Sequence, residues 1–135
     1  MRIVEHTTAA SFCQAAFPFL LAHEAENGLI FSLAQQLPAG RTAALLLTFH
    51  EDAALVGAAA MQPRRPLVIT RAPPAVPPAL LDHLAHRGAS FTAVTGARPA
   101  VDRFAAAYAL VTGYAMRCAP QRIHQLTAVS APAPA

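Results

Sequence analysis

The chain has 135 residues, 55% of them hydrophobic and 13% charged, which excludes a disordered polyelectrolyte and suits one domain with its own core. The formal net charge is +3, and all ten basic residues are arginines that lie scattered apart from Arg64 and Arg65; nucleic-acid binding would need a basic stripe with interleaved aromatics. No apolar run approaches the roughly 18 residues of a membrane span, and the start MRIVEHTTAASF lacks the layout of a signal peptide. The expectation is a cytoplasmic protein without a nucleic-acid or membrane partner. Cys13 and Cys118 are read as reduced thiols, being too far apart for metal-ligand spacing. Arginine without lysine, on an alanine-rich background, points to a GC-rich bacterial genome.

The first predicted element is a short strand, RIVEH, followed by Thr7 and Thr8, either able to cap the helix begun by AASFCQAAF. Pro18 should break or kink that helix. From Phe19 to Leu37 the apolar spacing is helical but interrupted near Asn27 and Gly28, giving two helical segments. TAALLLTF and AALVGAAAM read as two strands joined at the polar tip His50, Glu51 and Asp52. Their continuous apolar runs imply a sheet covered on both faces.

PLVIT is a fourth strand, and after the loop RAPPA the residues Pro77 and Pro78 suit the first turn of a helix, PALLDHLAHR, capped by Gly88. SFTAV is a fifth strand, and PAVDRFAAAYALVT a further helix capped by Gly113. One last extended segment, YAMRCAPQRIHQLTAV, closes the domain. The expected domain is therefore residues 1–128, with 129–135 an alanine- and proline-rich linker-like tail.

Strand, two helices, three strands, helix, strand, helix and long strand is an order that resembles the GNAT acetyltransferase superfamily, over essentially residues 2–128. LVGAAAM at Leu55 to Met61 is similar to the family's third strand, and YALVTGY at Tyr108 to Tyr114 to its helix-glycine-aromatic junction. FLLAHEAENGLIFSL with PRRPLVIT resembles the amino-terminal half of bacterial predicted acetyltransferases built from two GNAT-like halves. The resemblance implies a mixed α/β (α+β) fold: a mostly antiparallel central sheet of about six strands, helices on both faces, and strands four and five splayed apart. It also implies acetyl-CoA as cofactor, a small amine as acceptor, and a second GNAT-like half or a homodimer partner.

The family's cofactor loop, Gln or Arg, two residues, Gly, one residue, then Gly or Ala, offers backbone N–H groups to the pyrophosphate. Its glycine positions fall here on Ala75 and Pro77 and its basic position on Ala72, one residue from Arg71. Pro73, Pro74, Pro77 and Pro78 supply no N–H. Two hydrogen bonds lost to a charged phosphate, at about 1.5 to 3 kcal/mol each, lower affinity by about two decades or more. Acetyl-CoA should bind weakly or not at all, its remaining contacts lying along Val68, Ile69, Thr70 and Arg71, with the backbone around Val68 to Thr70 able to polarise a thioester carbonyl.

Glu24 is the candidate base for the incoming amine, against a reading as a cap or surface charge. Tyr108 is the candidate acid for the thiolate, against a reading as a core or interface aromatic; the family's tyrosine position is Ala109. His83 and His86, three residues apart, have metal-like spacing, but nothing nearby completes a ligand set and they are read as a solvated helix face, so no metal is expected. The leading expectation is a non-catalytic amino-terminal half of a tandem acetyltransferase. The alternatives are a weak stand-alone acyl-CoA enzyme and a ligand-binding or dimerisation module.

Overall fold

The computed structural model describes residues 1–23, 27–37, 41–119 and 125–132. The elements run β1 (Arg2–Thr8), α1 (Ala9–Ala22), α2 (Gly28–Gln36), β2 (Arg41–Glu51), β3 (Ala54–Met61), β4 (Leu67–Ile69), α3 (Val76–Arg87), β5 (Ala93–Gly96), α4 (Arg98–Thr112), β6 (Tyr114–Ala119) and β7 (Gln125–Pro132). Among the described residues the strands form one sheet in the order β1-β2-β3-β4-β5-β7-β6. Every neighbouring pair is antiparallel except β4 and β5. The fold is α+β, a mostly antiparallel open sheet with helices.

The apolar runs explain the layering. From Ala44 to Phe49 every residue of β2 is buried, because alternate side chains point to opposite faces and both faces are covered. Leu46, with Ala58, Ala60 and Val68, packs under Phe12, Ala16, Leu20 and Ile30 of α1 and α2. Leu45, Leu47 and Phe49, with Leu67, Ile69 and Val94, pack under Leu80, Leu84, Val101 and Phe104 of α3 and α4. Full burial of each such Leu or Phe contributes about 1.5 to 3 kcal/mol relative to exposure. Thr8 caps α1 by accepting the Ser11 N–H at 3.1 Å. Gly88 ends α3 in the left-handed region, its N–H donating to Ala85 O and Leu84 O, and Gly113 does the same for α4.

Several expectations need correction. α1 continues through Pro18 to Ala22: the ring is exposed, and the buried stripe Ala9, Phe12, Ala16 and Leu20 holds the helix on both sides of the one backbone bond that proline removes. His50 belongs to β2, and the turn is Asp52 and Ala53, with Asp52 at φ +54°. The last segment is two strands, making seven in all among the described residues; β7 inserts between β5 and β6 and runs to Pro132, into the stretch read as linker. Residues 133–135 of that expected tail lie outside the described residues. Strands four and five do not diverge along β4: Leu67, Val68 and Ile69 pair with Val94, Thr95 and Gly96.

That last pairing ends in a close contact. Gly96 has φ +135°, and a Cβ there would overlap the Ile69 carbonyl oxygen, while the next N–H, that of Ala97, donates to the same oxygen at 3.1 Å. Gly96→Ala should therefore destabilise by about 3 kcal/mol or more, whereas Gly88→Ala, at φ +71° in open space, should cost about 1 kcal/mol. Urea unfolding of the two variants checks the difference; equal costs would contradict the contact.

Candidate functional site

The junction from β4 to α3 is where the sequence places cofactor contacts. Val68 faces the α1 and α2 layer and Ile69 the α3 and α4 layer, both buried. Thr70 is buried, and its N–H donates to Ala58 O at 3.0 Å. Its hydroxyl accepts the Ala58 N–H at 2.9 Å and donates to Arg71 O at 2.9 Å. The backbone expected to polarise a carbonyl is thus bonded into the sheet. Arg71 is exposed, and the chain after it folds back over β3, where a Cβ on Gly57 would meet Ala72 Cβ at 3.0 Å and Arg71 O at 3.2 Å.

The amino end of α3 is short of donors. A helix normally leaves four N–H groups unpaired there, which makes it an anion site. In α3 the first, Val76 N–H, donates to Pro73 O at 2.9 Å. The second and third positions are Pro77 and Pro78, which have none. The Ala79 N–H makes the first regular helical bond, to Ala75 O at 3.4 Å. Prolines have replaced two of the donors and also turned a carbonyl toward the Val76 N–H.

Tyr108 does not join this junction. Its half-buried ring packs edge-on against Phe91 at 5.7 Å, and Phe91 against Phe104 at 5.4 Å. Phe91 precedes β5, whereas Ile69 and Gly96 meet at the other end of that strand, about 10 Å away at strand rise. Glu24 lies outside the described residues. Near it in sequence, Asn27 is buried with no partner for its Nδ2, and its backbone joins the two helices by donating to His23 O and accepting from Phe31 N–H. His83 and Arg87 both reach Glu5 on β1, at 3.3 Å and 2.9 Å, while His86 is exposed beside Asp82. Among the described residues no group of three or more His, Cys, Asp or Glu is placed to hold a metal.

The structure brings together a set that the sequence reading passed over. His6 Nε2 lies 2.9 Å from Thr48 Oγ1, which lies 2.8 Å from His50 Nε2, and His6 Nδ1 lies 2.7 Å from Ser11 Oγ. Thr48 is fully buried. Its single hydroxyl proton can go to one imidazole while it accepts from the other, so the chain Ser11, His6, Thr48, His50 can pass one proton along its length. Its signal was positional: His6, Thr48 and His50 share a face only once β1 and β2 are paired, with Val4 opposite Thr48 and Arg2 opposite His50. Burial first, then the charge of His50, lowers the His6 pKa from 6.5; burial first, then Arg2, lowers that of His50. Cys13, whose thiol donates to Ala34 O at 3.8 Å, has its pKa raised by burial and is a poor nucleophile.

Beside Val68, a cleft of about 290 Å³ opens between α2 and the paired residues Val68 and Thr95, with Ser32, Gln36 and Arg65 as its polar wall. It is the one opening against the predicted cofactor residues among the cavities described below. Comparisons of the chain with protein-family models, with curated proteins and with solved structures gave no match.

The histidine pair sets a pH dependence. With folded pKa values below 6.5, the unfolded chain binds more protons as pH drops, so this stabilisation is present above about pH 6.5 and is lost as pH falls through the folded values. Urea midpoints should fall between pH 7.5 and pH 5. In His50→Gln the His6 imidazole should titrate at higher pH by NMR, while staying below its ordinary value because burial remains. An unchanged His6 titration would contradict the coupling.

Proposed function

We propose that the chain is a GNAT-like acetyltransferase domain that does not use its β4–α3 junction to hold acetyl-CoA, and that it acts as the non-catalytic half beside a second GNAT-like half or a second copy. The observation that carries this reading is the junction itself. A parallel strand pair at the sheet centre feeds a helix in the manner of a pyrophosphate site, yet the first three residues of that helix are proline or have their N–H already bonded. The family resemblance is supported by the element order, with two helices after the first strand and one helix on either side of the fifth.

A role through packing is supported by the outer surface of α3 and α4. A groove of about 550 Å³ runs between them from Pro74 and Pro78 to Leu110 and Val111. Leu110 is 87% and Val111 72% exposed, a degree of apolar exposure that marks interaction surfaces more than solvated ones. Beyond Gly113 the chain continues into β6, an edge of the sheet, so an apolar patch and an unpaired strand edge adjoin. The cleft beside Val68 is the feature that favours the second reading, a weak stand-alone acyl-CoA enzyme acting on a small amine.

Calorimetric titration with acetyl-CoA separates the two. The expected result is binding weaker than about 10 µM, or none; tighter binding, beyond roughly −7 kcal/mol, would overturn the non-catalytic reading in favour of the enzyme.

A further inference from the structure

Arg64 is not accounted for by the acyltransferase reading, and Arg65 enters it only as part of the wall of the cleft beside Val68. Both lie in the connection from β3 to β4, where Arg65 N–H donates to Gln62 O at 3.0 Å. Pro63 is followed by Arg64 at φ +63°. Proline at the second position, positive φ at the third and a first-to-fourth hydrogen bond make a type II turn, whose third position normally takes glycine. An arginine held there meets a steric cost that glycine would not. The turn has no use for the guanidinium, so its purpose lies in what the side chain reaches.

That is a cleft of about 470 Å³, within the range of small-molecule sites. It lies at the ends of β4 and β5 opposite to Ile69 and Gly96, between this turn and the loop from α3 to β5. Its walls include Gln62, Arg64, Arg65 and Arg87 as polar groups and Met61 and Phe91 as apolar ones; among the described residues no carboxylate lines it. Arg87 is fixed beside the cleft, its Nε donating to both Glu5 oxygens at 3.0 and 2.9 Å. Arg64 and Arg65 have no side-chain hydrogen bond or ion pair among the described residues. Phe91, held edge-on by Phe104 and Tyr108, gives a rigid apolar wall. Two uncompensated guanidiniums next to an aromatic wall match a dianion carried on an apolar body.

We infer that this cleft binds a small phosphate monoester, with the phosphate between Arg64 and Arg65 and its organic body against Phe91 and Met61. The site is separate from the β4–α3 junction and stands whether or not the acyltransferase reading holds.

The test is titration of the whole chain with phenyl phosphate, followed by backbone amide NMR and calorimetry, with inorganic phosphate and benzoate as controls. Saturable binding is expected, with the largest shifts at residues 62–65 and 89–92 and an affinity about tenfold or more above either control. Arg64→Gly should weaken phenyl phosphate by about tenfold or more while its thermal midpoint stays the same or rises, since glycine relieves the left-handed backbone. Shifts centred elsewhere, equal affinity for inorganic phosphate or benzoate, or an Arg64→Gly chain that binds like the parent would each overturn the inference.

Discussion

The Ile69 carbonyl accepts the Ala97 N–H while β5 passes so near that position 96 has room only for hydrogen. This contact joins the β1–β4 part of the sheet to β5, and through β5 to β7 and β6. It is also the point where the chain leaves the sheet for α3. All three residues of β4 pair with β5, and Val68 and Ile69 pair with β3 as well. Thr70 extends the closure by one residue, exchanging backbone and hydroxyl hydrogen bonds with Ala58. Buried polar backbone has to be paired, and at Ile69 and Thr70 the pairing is internal.

The prolines act in the same direction. Pro77 and Pro78 start α3 with their fixed φ, which favours the helix, but a helix begun this way offers no N–H at its second and third positions. Pro73 then directs its carbonyl at Val76 N–H. Order at the junction and anion binding by the junction are alternatives, because the same few donors would have to serve both. Positive charge open to an anion lies on the β3–β4 turn, where among the described residues Arg64 and Arg65 have no carboxylate partner while Arg87 is bound to Glu5.

Much of the fold was legible because its determinants are local. Thr8, Gly88 and Gly113 are caps that any reading of the residues would mark, and the doubly buried run from Ala44 to Phe49 announces a covered central strand. What escaped was set by pairing at long range. His50 looked like a turn residue because it adjoins Glu51 and Asp52; as part of β2 it shares a face with Thr48, and the register of β1 on β2 brings His6 to the same hydroxyl. The division of the last segment into β6 and β7 had only Pro120 as a local mark, and the insertion of β7 beside β5 depends on contacts more than 25 residues apart in sequence. At the candidate site, the loss of donors could be read from proline alone. The bonding of Thr70 to Ala58 could not, because it rests on how β3 and β4 align. Tyr108 was placed one position from a family motif, and its packing on Phe91 turns it away from the junction.

Amide hydrogen exchange of the whole chain, with and without acetyl-CoA, tests the closed junction most directly. The account requires Ile69, Thr70, Val76 and Ala79 to exchange slowly in the free protein and at the same rate when acetyl-CoA is added. Fast exchange at these amides in the free chain, or slowing at them on addition of acetyl-CoA, would show donors available to a ligand and contradict it.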